Sequence, residues 1–160
     1  MEISDKLVKR LFINPVTAII VREDGRMLIV KRSETAGAFP GLWTVPGGKF
    51  EEDDFVKKPP TTKSYQCWYG ALEPAIQREV MEETGLAIDT LRYLTSYVFR
   101  HPVHNVWVHG LSFWARYQSG EVVLHDPDIV DSAWVTLEAA RSYDLIEGIY
   151  EELAQVAKLL

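Results

Sequence analysis

Two apolar runs rich in β-branched residues lie near the start of the sequence and are separated by a short polar segment. They predict β-strands at about 15–22 and 27–32, because Val and Ile pack well on a pleated sheet. Asp24 and Gly25 lie between the runs, and glycine accepts the positive φ that a tight hairpin turn requires. The pattern therefore predicts a β-hairpin, followed at 33–48 by an ordered Gly- and Pro-rich loop around a short strand.

A different periodicity appears at 72–84, where apolar and polar residues alternate with helical spacing. Pro74 is tolerated in a first helical turn, and Gly85 suits the position after the last turn. The preceding segment, 51–70, contains an acidic cluster, a Pro pair and three large aromatic residues, and we expect no regular helix or central strand there. The sequence thus predicts one helix preceded by an irregular loop.

The remainder of the chain is rich in β-formers and ends in an amphipathic stretch. Strands are predicted at 91–100, 103–117 and 121–124, and around Trp134. Apolar residues then recur at helical spacing and predict a terminal helix; they are Leu145, Ile149, Leu153, Val156 and Leu160.

Length and composition narrow the class of protein. A chain of 160 residues with 47% hydrophobic residues has the size of one domain, 1–160. Its net charge of −6 argues against binding a nucleic acid polymer through a broad basic face. Cys67 is the single cysteine, so an internal disulfide is excluded. No apolar stretch is long enough to span a membrane. The first ten residues lack the apolar segment of a signal peptide. We expect a cytoplasmic protein.

The predicted helix carries the candidate chemistry. At about 100° per residue, Glu79 and Glu83 lie one turn apart on one face, with Glu82 beside them. A solvated acidic helix surface is the simpler interpretation. However, the like charges repel each other and lie in the half of the helix where its dipole disfavours anions. A bound divalent cation would offset both penalties, and oxygen ligands suit Mg²⁺, with Mn²⁺ as a substitute.

Residues 78–86, Arg-Glu-Val-Met-Glu-Glu-Thr-Gly-Leu, resemble the carboxyl-terminal half of the motif of the Nudix hydrolase superfamily, which includes MutT-like proteins. The approach Gly-Leu-Trp-Thr-Val-Pro-Gly-Gly, 41–48, is also similar. The resemblance implies an α+β protein with the Nudix fold, an α/β/α sandwich in which a mixed β-sheet lies between helices.

The motif is interrupted in this chain. Gly48 stands thirty positions before Arg78, whereas the family spacing is fourteen, so sixteen residues are inserted within a loop at about 51–70. Counting back from Arg78 places Gly70 where the motif has its first Glu. That carboxylate is either missing or supplied by Glu51, Glu52 or Glu73.

The resemblance also implies the reaction, which is Mg²⁺-dependent hydrolysis of a nucleoside diphosphate derivative such as a nucleoside triphosphate or nucleotide sugar. By matching positions, Glu79, Glu82 and Glu83 are the expected metal ligands, with the Gly48 carbonyl as a further one, and one carboxylate activates the attacking water. Arg78 is expected to pair with a carboxylate and fix the helix against the loop. Asp128 is a candidate for a further substrate contact, although Asp-Pro-Asp also favours a simple turn.

Aromatic residues are the candidates for holding a nucleotide base. Phe39 lies near the glycine pair, and Trp68 and Tyr69 lie in the inserted loop, where they predict a lid over the substrate or a homodimer contact. The interrupted motif leaves an alternative, a catalytically impaired domain that binds a nucleotide without cleaving it. An isomerase on the same fold is disfavoured, because Cys67 is not at the matching place.

Overall fold

The computed structural model describes residues 8–160, so part of the amino-terminal segment, 1–7, lies outside the described residues. The strands are β1 Pro15–Val21, β2 Met27–Arg32, β3 Trp43–Thr44, β4 Gly47–Lys49, β5 Ala87–Ile88, β6 Arg92–Arg100, β7 Trp107–Ser119 and β8 Ile129–Val135. The helices are α1 Leu72–Thr84, α2 Leu137–Ala140 and α3 Ile149–Ala157, and a 3₁₀ turn spans Glu52–Asp54.

These strands form one mixed sheet around β1. Strand β1 is antiparallel to β2 and β4 and parallel to β7, while β5 and β6 pair antiparallel with β7, and β8 with β2. In the β1–β4 pair, Val16 lies opposite Gly48. The central strand therefore holds the glycine pair at a fixed place.

Alternation along β1 divides the core between the two faces of the sheet. Val16, Ala18 and Ile20 belong to a core that includes Ile76 and Val80 of α1. The alternate residues of β1 pack in a second core with α3. Full burial of such side chains stabilises the fold by about 1.5–3 kcal/mol each. The predicted α+β sandwich, with a mixed sheet between helices, is confirmed.

The amino-terminal hairpin and helix α1 agree with the predictions. Arg22 and Arg26 close the hairpin turn through a backbone hydrogen bond of 2.9 Å, and Gly25 has a φ of 79°. Helix α1 ends at Gly85, whose φ is 71°. Left-handed backbone is accessible to glycine without a side-chain clash.

Three predicted elements differ in the structure. The strand at 121–124 is wrong, because Val123 donates its N–H to the carbonyl of Thr84, at 3.0 Å, and covers the end of α1. The strand predicted from 103 begins at Trp107, since a turn occupies 101–106. The terminal helix begins at Ile149, because Leu145 bridges to Trp43 instead.

Across residues 8–160, no helix combines the length and the apolar content that crossing a membrane requires.

Candidate active site

Helix α1 and strand β4 bring two glutamates against the glycine pair. Glu83 accepts a hydrogen bond from the Gly47 N–H at 2.9 Å. A Cβ added to Gly48 would lie 2.1 Å from the Glu79 Cδ atom, so that only glycine leaves room for this carboxylate. Gly47 and Gly48 lie in strand β4 and not in a turn, and the backbone there comes close to both glutamate side chains.

Burial sets the charge state of these glutamates. Glu83 is only 8% exposed, and burial raises its pKa to about 8, with smaller contributions from Asp126 and Glu79. The Gly47 N–H and Arg32 act in the opposite direction. Burial also raises the pKa of Glu79, although Arg78 opposes the change. A positive charge at this position would therefore stabilise both ionised side chains.

Arg78 connects the helix to the segment that follows β4. Its guanidinium donates to Asp54 and Glu79 from Nη2, at 2.6 Å and 2.7 Å, and to Glu82 from Nη1, at 2.6 Å. Although burial acts in the opposite direction, a backbone hydrogen bond from Glu51 and the contacts with Arg78 lower the pKa of Asp54. One guanidinium thus orients three carboxylates.

Asp54 is the residue that the sequence analysis missed. It is the carboxylate that reaches Arg78 from outside α1, and Glu51, Glu52 and Glu73 do not take this place. Counting forward from Gly48, rather than back from Arg78, finds it, because five residues and then Asp54 follow Gly48. The spacing between Gly48 and the motif's first carboxylate is therefore that of the family. The additional residues lie after Asp54, because 23 residues, 55–77, separate it from Arg78 where the motif has seven.

A cleft of about 540 Å³ opens over these groups. Asp126 and Asp128, from the loop before β8, line one part of it. The Asp128 N–H donates to the Asp126 carboxylate at 2.8 Å, which fits the expected Asp-Pro-Asp turn. The other lining residues are Arg32, Gly48, Lys49, Glu51, Asp53, Asp54, Lys57, Arg78, Glu79, Glu83 and Ile129. Glu82 instead faces an adjoining depression that Asp126 also lines.

The predicted base-binding aromatics lie elsewhere. Phe39 packs against Phe99, with ring centroids 5.7 Å apart. Trp68 packs on Phe55 at 5.1 Å and donates its indole N–H to a backbone carbonyl, and the Tyr69 side chain is 71% exposed. Within residues 8–160, the lining of the cleft includes none of Phe39, Trp68 and Tyr69. Their predicted contact with a base stays a prediction.

The donor set suits a hard divalent cation. Among residues 8–160, no three Asp, Glu, His or Cys side chains converge closely enough to hold a metal by themselves. Mg²⁺, however, keeps several waters and commonly binds through one or two carboxylates together with substrate phosphates. Glu79 and Glu83 supply two partly or fully buried carboxyl groups, and because burial raises the pKa of both, a bound cation would favour their ionised forms. The residues therefore fit Mg²⁺.

The chain matches a known family and resembles solved structures. The family model described as "NUDIX domain" matches residues 12–158. A MutT NUDIX hydrolase from Burkholderia pseudomallei is 26% identical, with a TM-score of 0.70 over 91% of this chain and 98% of that protein. The NUDIX domain of Shewanella oneidensis NrtR, solved in complex with ADP ribose, has the same fold with a TM-score of 0.72 and 19% identity, over 99% of this chain and 94% of that one.

Relatives are also found by sequence. The NAD-capped RNA hydrolase NudC of Escherichia coli O1:K1 is 30% identical over 122 residues, which are 76% of this chain and 38% of that protein. A MutT-like protein of Streptomyces ambofaciens is 36% identical over 85 residues, 53% of this chain and 48% of that protein. The chain spans about a quarter to a half of the length of the curated relatives it matches.

Proposed function

This chain belongs to the NUDIX domain family, and from that premise we propose that it is a Mg²⁺-dependent pyrophosphohydrolase. Its proposed substrate is a nucleoside diphosphate derivative, a nucleoside triphosphate or a nucleotide sugar, cleaved at the diphosphate linkage. The observation that carries the proposal is the pair Glu79 and Glu83, held against the backbone of β4 on the floor of an open cleft.

The proposed metal site consists of Glu79 and Glu83, with Glu82 and the Gly48 carbonyl as further ligands. When bound, Mg²⁺ supplies the positive charge that lets an acidic cleft accept a diphosphate, and it stabilises the charge that develops on the phosphoryl oxygens. The Gly47 N–H holds the Glu83 carboxylate in place.

Side chains at the cleft have further proposed roles in positioning, in proton transfer and in substrate contact. Arg78 fixes Glu79 and Glu82 by direct hydrogen bonds, which makes it a positioning residue. A carboxylate in the cleft, from Glu79, Glu83 or Asp126, accepts the proton of the attacking water. Asp128 lines the same cleft and is retained as a substrate contact.

The test is a substrate panel incubated with Mg²⁺ or Mn²⁺, with the products separated by liquid chromatography. The panel contains nucleoside triphosphates, nucleotide sugars and dinucleotides of the NAD type, since the name of the NudC relatives refers to NAD-capped RNA. We expect nucleotide products that require the divalent cation. The variant Glu79→Gln/Glu83→Gln should lose at least about a hundredfold in kcat, whereas Glu73→Gln, exposed on the same helix, should retain wild-type rates.

Two outcomes would contradict the proposal. If the double variant cleaved substrate at the wild-type rate, Glu79 and Glu83 would not be part of the catalytic machinery. If calorimetry detected nucleotide binding but no panel member were consumed, the chain would be a nucleotide-binding module without turnover.

A further inference from the structure

The residues 55–70, called the arm below, differ in charge from the rest of the chain. The arm contains Lys57, Lys58 and Lys63 and no Asp or Glu, in a protein with a net charge of −6. It begins directly after Asp54, which Arg78 holds at the cleft. We propose that the arm binds the phosphate groups of the substrate through Lys57, an inference that rests on the proposed function and extends it to substrate specificity.

The arm has a defined internal structure. Phe55 lies between Phe50 and Trp68, with ring centroids 5.6 Å and 5.1 Å away. The Trp68 indole N–H donates to the carbonyl of Lys58 at 2.8 Å, and the N–H of Thr61 donates to the carbonyl of residue 67 at 2.8 Å. Lys57 therefore extends from a packed segment, which lowers the entropy cost of placing its side chain at the cleft.

Lys57 is the arm residue with a cationic side chain at the cleft. It lines the cleft together with Asp53, and the Lys57 Nζ atom lies 3.4 Å from the Asp53 carboxylate. Both side chains are more than 70% exposed. An ion pair of such exposure contributes little free energy, so the ammonium can exchange Asp53 for a phosphate oxygen at small cost.

Of the other cations that line the cleft, the two arginines donate to acceptors of the protein, and Lys49 is a second exposed lysine there. Arg78 donates to three carboxylates, and Arg32 donates its Nε–H to the carbonyl of Ala38 at 2.7 Å. Lys49 follows the glycine pair in β4. A substrate diphosphate carries several negative charges. Those that a cation at Glu79 and Glu83 does not neutralise would face the acidic wall of the cleft, which is its lining of Asp and Glu side chains. Lys57, a point charge on a flexible stem, supplies attraction at that wall.

The chain offers matched controls for testing Lys57. Lys57→Ala is compared with Lys63→Ala, which removes the same charge from the same arm at a position outside the cleft lining. We expect KM for the best substrate to rise about fivefold in Lys57→Ala, with kcat within a factor of two, as for loss of an exposed ionic contact. Lys57→Arg should restore most of the affinity, and Lys63→Ala should match the wild type.

Ionic strength provides a second readout. Between about 0.05 M and 0.3 M salt, the KM of the wild type should rise more steeply than that of Lys57→Ala, because screening weakens a contact that the variant lacks. Equal KM values and equal salt slopes in the two proteins would overturn the assignment. An equal rise of KM in Lys63→Ala would also overturn it, since the effect would then come from the overall charge of the arm.

Failure of the proposed function is distinguishable from failure of this inference. If the wild type consumes no substrate, the same variants are titrated calorimetrically with a methylene-bridged, non-hydrolysable diphosphate nucleotide in the presence of Mg²⁺. A Kd about fivefold weaker in Lys57→Ala supports the phosphate contact without turnover. Equal Kd values refute the contact whatever the fate of the hydrolase proposal.

Discussion

Replacing Glu83 by Gln tests whether burial of this carboxylate determines how the stability of the protein depends on pH. Glutamine has nearly the same shape and keeps an oxygen that can accept the Gly47 N–H, but it carries no charge. The pKa of Glu83 rises from 4.5 to about 8 in the fold, mainly through burial. This difference corresponds to about 5 kcal/mol between the two protonation states.

The direction of the effect follows from proton binding. Between pH 4.5 and about 8 the unfolded chain has lost the Glu83 proton while the folded protein retains it. The free energy of unfolding of the metal-free protein therefore falls as pH rises through this window, and it levels off above it. In Glu83→Gln this contribution is absent. We expect the variant's advantage to grow from about 1 kcal/mol at pH 5 to about 3 kcal/mol at pH 7 and about 5 kcal/mol at pH 9.

The assay is urea unfolding at pH 5, 7 and 9 in the presence of a chelator, followed by tryptophan fluorescence. Taking the difference between the two proteins at each pH cancels the titration of other groups that behave alike in both. Glu82→Gln is the control, since this side chain lies one position away on α1 and is 60% exposed. If the difference between wild type and Glu83→Gln were the same at all three pH values, the argument from burial would be refuted.

Two further predictions concern the groups around the glutamates. Gly48→Ala should lower the free energy of unfolding by about 2 kcal/mol, because the added methyl group would overlap the Glu79 carboxylate. Gly37→Ala is the control, since its methyl group would enter open space and should change the free energy of unfolding little. Thermal unfolding of both variants tests this prediction. Removing one partner of the Asp54–Arg78 pair should cost about 1–3 kcal/mol, since the Asp54 side chain is only 4% exposed. In a double-mutant cycle with Asp54→Asn and Arg78→Gln, additive effects would show that the two side chains do not stabilise each other.

Local sequence patterns predicted the elements whose residues determine their own conformation. The hairpin follows from Asp24 and Gly25, and α1 from its periodicity and from Gly85. The shared face of Glu79 and Glu83 could be derived in the same way, because helical spacing alone fixes it.

Other features depend on contacts between distant parts of the chain. Residues 121–124 have β-forming side chains, yet they cover the end of α1 and pair with none of the strands found in residues 8–160. The two-residue strand β5 is too short to leave a pattern and is defined by its pairing with β7. Asp54 could not be assigned to Arg78 from a count that began at Arg78, because the added residues lie between the two. The burial of Glu83 likewise depends on where β4 and the loop at Asp126 come to lie.

The salt bridge between Asp54 and Arg78 closes a loop, and this has a consequence for how freely its contents can vary. The loop-closure entropy of a flexible segment increases only with the logarithm of its length. Lengthening the connection from seven residues to the 23 present here therefore adds about 1 kcal/mol to the entropic cost of closing the loop. Since the two ends remain joined by a guanidinium–carboxylate contact, changes in the length of this segment leave the spacing of the glutamates untouched. Insertions and deletions at this place would thus leave the arrangement of Arg78, Glu79 and Glu83 on α1 unchanged.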